Sequence, residues 1–258
     1  MEYENTFFNN SMYINKIFLS REIPKDNYLG KLPVIKNLRS MGEMRFTKPV
    51  TFVVGENGVG KSTLIEGIAV AMGFNPEGGT VNFNFSTQES HSNLHDYLTV
   101  SRGYKRHSDG FFLRAESFYN VASNIDNMDA DEDNNCGVPI VMSYGGISLH
   151  KQSHGESFMA LVENRFGGNG LYILDEPEAA LSPMRLMRLM YCIKELVNKN
   201  SQFIISTHSP ILMTYPGAEV IEITEDGIKS VDYKDTEHFL VTKRFMDAPD
   251  KIIKDLLG

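Results

Sequence analysis

The sequence predicts an α/β fold, in which helices flank a mainly parallel central sheet. Two observations support this prediction. Short apolar runs typical of buried strands alternate with stretches whose apolar residues recur at helical spacing. A glycine-rich loop also comes after one apolar run and precedes a helical stretch, as in many sheets of this class. The predicted strands are 50–54, 111–113, 171–174 and 203–206, and the predicted helices are 63–72, 157–166 and 183–199.

Length and composition are those of an ordinary globular domain. The chain has 258 residues, of which 41% are hydrophobic and 22% charged. We expect a single domain over residues 1–258, with an inserted lobe of loops and helices at about 74–168. The net charge of −8 gives no overall attraction to nucleic acid. Apolar runs fall short of the roughly 20 residues that a membrane-spanning helix needs, and the acidic N-terminus lacks signal-peptide features, so we expect a cytoplasmic chain without a membrane span.

The segment before residue 50 reads as short strands and turns. Residues 13–19 alternate imperfectly between apolar and polar side chains, and Pro24, Gly30 and Pro33 interrupt the stretch from residue 20 to residue 40. We expect antiparallel strands in this N-terminal part.

Residues 55–62 read G-E-N-G-V-G-K-S, a complete G-x-x-x-x-G-K-[ST] phosphate-binding loop. A backbone that wraps a polyphosphate must direct several N–H groups inward, and glycine permits both the close approach and the turns with positive φ. Lys61 would place its charge on the terminal phosphates, and the Ser62 hydroxyl would bind Mg²⁺. The helix after the loop would direct its N-terminal dipole at the phosphates. The predicted nucleotide-binding residues are Gly55, Glu56, Asn57, Gly58, Val59, Gly60, Lys61, Ser62 and Thr63.

The lobe after this helix is less regular. Residues 73–104 are rich in Gly, Asn, Ser and Thr, so we expect mostly loop, with a short helix near 93–100. Residues 124–137 are acidic, and we expect a mobile surface segment. Its aspartates resemble the start of an EF-hand calcium loop, but the glycine and the glutamate that such a loop needs are absent, so we expect a solvated loop. A basic cluster with one aromatic residue could contact nucleic acid or form a solvated loop; it comprises Arg102, Tyr104, Lys105, Arg106 and His107.

Three further segments carry candidate functional residues. The stretch Ser153-His154-Gly155-Glu156 precedes an amphipathic helix, so its hydroxyl and free N–H groups form an anion site. Asp175 and Glu176 come directly after the strand 171–174, which would deliver them to the carboxyl edge of the sheet. Asp175 would hold Mg²⁺ and Glu176 would act as general base on the attacking water. His208 comes after the strand 203–206, where its imidazole could reach the terminal phosphate.

The helix at 183–199 carries two sets of side chains with separate expectations. Met184, Met187 and Met190 recur at helical spacing with Leu186, Ile193 and Leu196, and we expect them in the core. Arg185 and Arg188 lie near the helix N-terminus, where cations oppose the dipole, so we expect them to pair with Glu178 or with a partner chain.

Together these motifs resemble those of ABC-type ATPases. In that family a Walker A loop, a signature S-x-G-[QE], a Walker B strand ending in D-E, a D-loop and a switch histidine occur in this order. The corresponding residues here are 55–62, 153–156, 171–176, 179–182 and His208. The segments E-N-G-V-G-K-S-T, D-E-P-E and T-H-S-P resemble the soluble branch that is related to RecF and SMC proteins and often labelled AAA-family.

The resemblance implies that two protomers hold two ATP molecules between them, head to tail. The signature residues of one chain would act in trans on the γ-phosphate bound by Lys61 of the other. ATP and Mg²⁺ would join the two copies, and hydrolysis by Glu176 and His208 would separate them. A protein partner or DNA would be coupled to this cycle. The signature residues are Ser153, His154, Gly155 and Glu156.

The sequence also departs from the family pattern. A Q-loop glutamine is not evident, because Gln88 lies too close to the Walker loop. Glu116 occupies the expected place and could bind Mg²⁺ through water. The missing glutamine counts against a transporter's nucleotide-binding subunit, which stays open as an alternative. A DNA-repair or defence-associated ATPase is a further alternative. For the latter, the stretch between Lys61 and Ser153 leaves no room for long coiled-coil arms.

Overall fold

A computed structural model describes residues 12–80, 92–115, 118–130 and 139–258. These ranges contain two sheets and the helices around them. The strands are β1 (Ile14–Leu19), β2 (Met44–Arg45), β3 (Val50–Val54), β4 (Leu98–Arg102), β5 (Asp109–Arg114), β6 (Gly170–Asp175), β7 (Gln202–Ser206), β8 (Glu219–Ile223) and β9 (Ile228–Val231). The α-helices are α1 (Pro33–Met41), α2 (Lys61–Ala71), α3 (Phe118–Ala130), α4 (His154–Arg165), α5 (Pro183–Asn198), α6 (Pro210–Met213), α7 (Glu237–Asp247) and α8 (Pro249–Leu257).

The larger sheet has, in the described ranges, the strand order β5-β6-β7-β3-β8-β9. Its strands pair in parallel from β5 through β8, and β9 is added antiparallel at one edge. Parallel strands that are buried on both faces read as continuous apolar runs, which is why β3, β6 and β7 were recognisable in the sequence. Their carboxyl ends meet at one edge of the sheet, where ligands bind in open α/β folds.

Alternate side chains of the larger sheet enter two separate cores, because successive residues of a strand point to opposite faces. Phe52 and Leu174 belong to the core on one face, which α3, α4 and α5 cover. Val53 and Ile173 belong to the core on the other face, which α1, α2 and the smaller sheet cover. The phosphate-binding loop therefore leaves a strand that is held from both sides.

The smaller sheet is antiparallel, with the strand order β2-β1-β4, as expected for the N-terminal part. It packs against α2, and a Cβ on Gly67 of that helix would lie 2.9 Å from the side chain of Leu94, which precedes β4. Gln202 joins the two sheets. Its Oε1 accepts from Tyr13 N at 2.8 Å and Ile14 N at 2.9 Å, and its Nε2 donates to Ile14 O at 2.9 Å. Satisfied buried amides of this kind fix one relative placement of the two sheets.

Three local predictions are wrong. Residues 33–41 form α1 rather than strands and turns, and residues 98–102 form β4 rather than part of a helix. The acidic stretch is helical through residue 130, and Asp129 accepts hydrogen bonds from Ile140 N at 2.6 Å and Val141 N at 2.8 Å, so this carboxylate is not a solvated loop side chain. The remainder of that stretch, residues 131–137, lies outside the described ranges.

Candidate functional site

The phosphate-binding loop has the backbone that its glycines predict. Gly55, Gly58 and Gly60 have φ values of 146°, 87° and 97°. A Cβ on Gly55 would lie 2.2 Å from Ile223 O, and one on Gly60 would lie 2.6 Å from the Val34 side chain. Larger residues are therefore excluded both by conformation and by space. Because α2 begins at Lys61, its unpaired N-terminal N–H groups lie next to the loop and favour an anion there.

Lys61 is held inside this loop. The side chain is buried, and Nζ donates to Gly55 O and Glu56 O, each at 2.9 Å. Burial lowers the pKa of Lys61, while the negative charges of Glu176, Asp175 and Glu178 oppose that shift. The ammonium group is thus the cationic centre of a ring of carboxylates at the carboxyl edge of the sheet.

Asp175 ends β6 as a buried carboxylate with several donors around it. It accepts hydrogen bonds from Ser206 Oγ and from the Ser62 side chain, and Arg114 Nε lies 3.6 Å from its Oδ2. Burial raises its pKa, and the hydrogen bond from Ser206 and the charge of Arg114 act in the opposite direction. Arg114 is itself positioned by Glu66, whose Oε2 lies 2.6 Å from Arg114 Nη1.

The oxygen atoms of Ser62 and Asp175 are suitable ligands for Mg²⁺. The Ser62 hydroxyl and the Asp175 carboxylate are in direct contact, and Mg²⁺ prefers few protein oxygens together with phosphate oxygens and water. Among the described residues there is no group of three or more His, Cys, Asp or Glu side chains that would form an all-protein metal site. Glu116, the further candidate ligand, and Gln88 both lie outside the described ranges.

Glu176 comes after β6 in an unusual conformation. Its φ of 49° and ψ of 55° are left-handed, which costs a residue with a side chain roughly 1–2 kcal/mol. Its N–H donates to Ser206 O at 3.1 Å, and its side chain is 38% exposed. Strained residues of this kind are concentrated at functional sites. The exposed carboxylate is accessible to a water molecule, whereas the neighbouring Asp175 is not.

His208 lies beside Glu176, with Nε2 3.4 Å from Glu176 Oε1. Burial, followed by the charges of Lys61 and His238, lowers the pKa of His208 to about 4, so the ring is neutral at pH 7. Within the described part of the chain, Nε2 is a buried atom with no hydrogen-bond partner. Its Nδ1 lies 2.7 Å from Nε2 of His238. No pattern in the sequence pointed to His238, which comes from α7 at the far end of the chain.

Glu178 is a second functional residue that sequence reasoning did not select as part of the site. It accepts hydrogen bonds from Thr207 Oγ1 at 2.9 Å and from His208 N. Burial raises its pKa, and these donors oppose the shift. Glu178 thereby ties the segment after Glu176 to the segment that carries His208. Its position two residues after Glu176, in D-E-P-E, was the available signal.

The signature residues form the N-terminus of α4. Ser153 precedes the helix, and Glu156 accepts from Ser153 N at 3.0 Å and Ser153 Oγ at 2.6 Å. Ser153, His154 and Glu156 are exposed, whereas Gly155 is buried. A Cβ on Gly155 would lie 2.3 Å from Arg185 Nη1 and 2.9 Å from Ala180 O, so glycine is required there.

The structure does not bring these signature residues to the phosphate loop of the same chain. No hydrogen bond or ion pair in the described ranges joins residues 153–156 to Lys61, Asp175, Glu176 or His208. Ser153 is exposed, and its hydroxyl, whose proton is donated to Glu156, keeps its lone pairs open to solvent.

The side chains of α5 differ from expectation. Met184 is 72% exposed and Met187 is 49% exposed, so the prediction that they lie in the core is wrong. Arg185 pairs with Glu156 at 3.3 Å, and Arg188 pairs with Glu163, rather than with Glu178. The buried residues of this helix are Leu186, Leu189, Ile193 and Leu196, so the expectation is confirmed for the leucine and isoleucine residues at 186, 193 and 196. Met190 is partly buried against the same core.

Helix α7 borders two clefts beside the phosphate loop. One, of about 410 Å³, is lined by Glu56, Asn57, His208, Glu237, His238, Val241 and Thr242. The other, of about 230 Å³, lies between the loop, the carboxyl end of β8 and the same first turn of α7. A third cleft, of about 550 Å³, is lined by the predicted basic cluster together with Tyr13 and Met72.

Two family models match parts of the chain. One is described as "AAA domain, putative AbiEii toxin, Type IV TA system" and matches residues 156–214; the other, "AAA domain", matches residues 34–128. The curated "Retron Vc95 probable ATPase" of Vibrio cholerae serotype O1 biovar El Tor is 29% identical over 160 residues. That match covers 53% of this chain and only 30% of the relative, so the chain spans less than a third of its length.

Solved structures resemble the whole described fold. A nucleotide-free ATP-binding cassette from an ABC transporter matches with a TM-score of 0.52 at 16% identity, over 96% of this chain and 100% of that chain. A further ATP-binding cassette of an ABC transporter matches with a TM-score of 0.50 at 14% identity, over 87% and 94% of the two chains. At such identities the likeness shows the fold. In the described ranges, no helix combines the length and apolar character needed to cross a membrane.

Proposed function

We propose that this chain, whose fold and matched segments are similar to those of ABC/AAA-type ATPases, binds ATP with Mg²⁺ at residues 55–63 and hydrolyses the γ-phosphate bond. One observation carries the proposal. The buried ammonium of Lys61, the carboxylates of Asp175 and Glu176, and the neutral imidazole of His208 meet at the carboxyl edge of the larger sheet. In phosphoryl transfer, catalysis consists mainly of such positioning and charge stabilisation.

Each residue has a role that its environment explains. Lys61 leaves two backbone carbonyls and pairs with phosphate oxygens, while Ser62 and Asp175 are the protein ligands of the metal. Mg²⁺, when bound, neutralises negative charge on the phosphates. Glu176 is the general base because its carboxylate is exposed to water, and His208 presents an unpartnered buried nitrogen toward the same space.

The variant Glu176→Gln tests this proposal. It keeps the size and hydrogen-bonding capacity of the side chain but removes the base, so we expect unchanged ATP affinity and a turnover rate at least about a hundredfold lower. Lys61→Ala should lose ATP binding itself. Glu22→Gln, which neutralises an exposed carboxylate away from the site, is the matched control and should behave as wild type. Normal turnover by Glu176→Gln would show that the base has been wrongly assigned.

We further propose that the active species is a head-to-tail dimer. Two features support this: the signature residues are exposed and do not contact the Lys61 site of their own chain, and α5 exposes an apolar stripe next to them. Met184, Met187 and Tyr191 form that stripe, with Tyr191 65% exposed. The site that holds ATP in one copy would then be completed by Ser153 of the other. The Glu176→Gln variant should accumulate such dimers in the presence of ATP and Mg²⁺, as measured by size-exclusion chromatography with light scattering.

A second candidate role is that of an ATPase in a defence system. The match to the retron ATPase and the family model that names AbiEii toxins favour it. In this role, the ATP-bound dimer would hold a partner protein or nucleic acid and release it on hydrolysis. Proteins retained by immobilised Glu176→Gln with ATP, compared with the same chain without nucleotide, would identify that partner. Retention of a membrane permease would instead favour a transporter subunit.

A further inference from the structure

His238 contacts the site from an element that is otherwise loosely packed. Thr236, at the start of α7, is fully buried and its hydroxyl donates to Tyr233 O at 2.7 Å. Beyond this anchor, neither α7 nor α8 has a buried residue. The first turn of α7 is therefore the part of this helix pair that is held in place, and His238 lies in that turn.

The contact between the two imidazoles has a direction. At 2.7 Å, Nδ1 of His208 and Nε2 of His238 must share one proton, so one ring donates and the other accepts. If His208 donated from Nδ1, its Nε2 would be a bare lone pair 3.4 Å from the Glu176 carboxylate, which is repulsive. If His238 donates, the proton of the neutral His208 ring lies on Nε2 and faces Glu176. The second arrangement is electrostatically favoured.

We propose that His238 is a positioning residue for ATP hydrolysis: it donates from Nε2 to Nδ1 of His208 and so fixes the His208 proton on Nε2. This inference rests on the proposed function and adds the C-terminal helix to the site. The His208 Nε2–H group then lies 3.4 Å from Glu176 Oε1 without a hydrogen bond to it, so its hydrogen bond is unfilled among the described residues. The ring lines the cleft beside the phosphate loop. A γ-phosphate oxygen is the acceptor that fits there.

The placement of the cleft supports the same inference. His208 and His238 line the 410 Å³ cleft together with Glu56 and Asn57 of the phosphate loop. The helix that carries His238 thus borders the nucleotide site directly, and its displacement would release the His208 ring. Metal-binding histidines give a scale by analogy, since loss of the outer partner that fixes their tautomer costs about 10–100-fold in metal affinity or activity.

Two substitutions of His238 separate positioning from packing. His238→Phe keeps a ring but removes the donor, so we expect kcat to fall about tenfold or more while KM and ATP affinity stay within about twofold. His238→Gln places an amide nitrogen near the Nε2 position and should restore most of the rate. Arg244→Gln, an exposed position of the same helix that does not line this cleft, is the matched control. Melting temperatures should be alike for all three variants.

The tautomer of His208 can be read independently of turnover. Nitrogen-15 shifts of the imidazole in the full chain should show His208 protonated on Nε2 in the wild type and a mixture with Nδ1 protonation in His238→Phe. A wild-type chain with this tautomer but no ATPase activity would overturn the proposed function rather than the contact. Unchanged kcat in His238→Phe, or equal losses in the Phe and Gln variants, would overturn the positioning role, as would a faster His238→Phe enzyme.

Discussion

At the scale of single residues, His208 makes the stability of the chain depend on pH. Burial, then the charges of Lys61 and His238, lowers its pKa to about 4, compared with an ordinary value of 6.5. Between these values the unfolded chain binds a proton that the folded chain does not. The neutral ring therefore contributes its full stability above pH 6.5, and this contribution is lost as the pH falls toward 4.

The variant His208→Gln isolates this effect because it cannot titrate. We expect the free energy of unfolding of the wild type to decrease relative to His208→Gln as the pH is lowered from 7 to 5. Urea unfolding at several pH values measures the difference. His107, whose pKa is also lowered by burial, is present in both chains and cancels. A difference that stays constant from pH 7 to pH 5 would contradict the prediction.

The sequence predicted the residues that are proposed to act on the nucleotide better than the residues that position them. Lys61, Asp175 and Glu176 belong to short local patterns in which strand, loop and helix are contiguous. His238 reaches the site only because α7 returns to the phosphate loop, and no local pattern encodes such a return. Arg114, which pairs with Asp175, could have been suspected from its place at the end of β5, on the same edge of a parallel sheet.

At the scale of secondary structure elements, the exposed start of α4 makes the dimer testable. Ser153→Arg would place a long cation where a second copy must approach, and it would cost the helix about 1 kcal/mol through loss of its N-cap. Combined with Glu176→Gln, it should leave the chain monomeric in ATP and Mg²⁺ by light scattering. Ser230→Arg, at an exposed position of β9, is the matched control and should still dimerise. A dimer that persists with Ser153→Arg would exclude signature contacts in trans.

The mispredicted elements depend either on contacts between residues distant in sequence or on a proline, which can interrupt a helix or begin one. Pro33 reads as a break in the sequence, but it is the first residue of α1, where its fixed φ suits a helix. Strand β4 exists through its pairing with β1, more than 70 residues away, so its own composition indicated the end of a short helix followed by loop. In α3, Asp126 accepts from Ser148 Oγ at 2.7 Å, and such tertiary partners turn an acidic stretch of loop-like composition into a packed helix.

At the scale of the whole molecule, the basic cleft and the nucleotide site lie at opposite ends of the parallel strands. The cleft is at their amino ends and the nucleotide site is at their carboxyl ends. Residues 103–108 precede β5, whereas the phosphate loop comes after β3, which runs parallel to β5 within the sheet. Lys105 and Arg106 are exposed in this cleft. A ligand there would have to act on the ATP site over a distance, through the strands or through α2, which begins at the phosphate loop and ends beside Met72 of the cleft.

If DNA is the partner, it should stimulate ATP hydrolysis through this cleft. The double variant Lys105→Glu and Arg106→Glu should abolish the stimulation and weaken DNA binding, with a shallower dependence of affinity on salt. Its basal rate should match that of wild type, since the changes are far from Lys61. Lys25→Glu with Lys31→Glu is a control of equal charge. Stimulation that survives in the Lys105 and Arg106 variant would rule out this surface.

The hydrogen bonds of Lys61 within its own loop determine what kind of event ATP binding is. The ammonium already has two carbonyl partners there, and three glycines already hold the turn. ATP binding would therefore exchange the hydrogen-bond partners of Lys61 within a loop that is already ordered, and little conformational entropy would be lost. The affinity for ATP would then depend on a competition between loop carbonyls and phosphate oxygens for one cation. In the proposed dimer, the free energy of nucleotide binding would remain available to bring the two chains together.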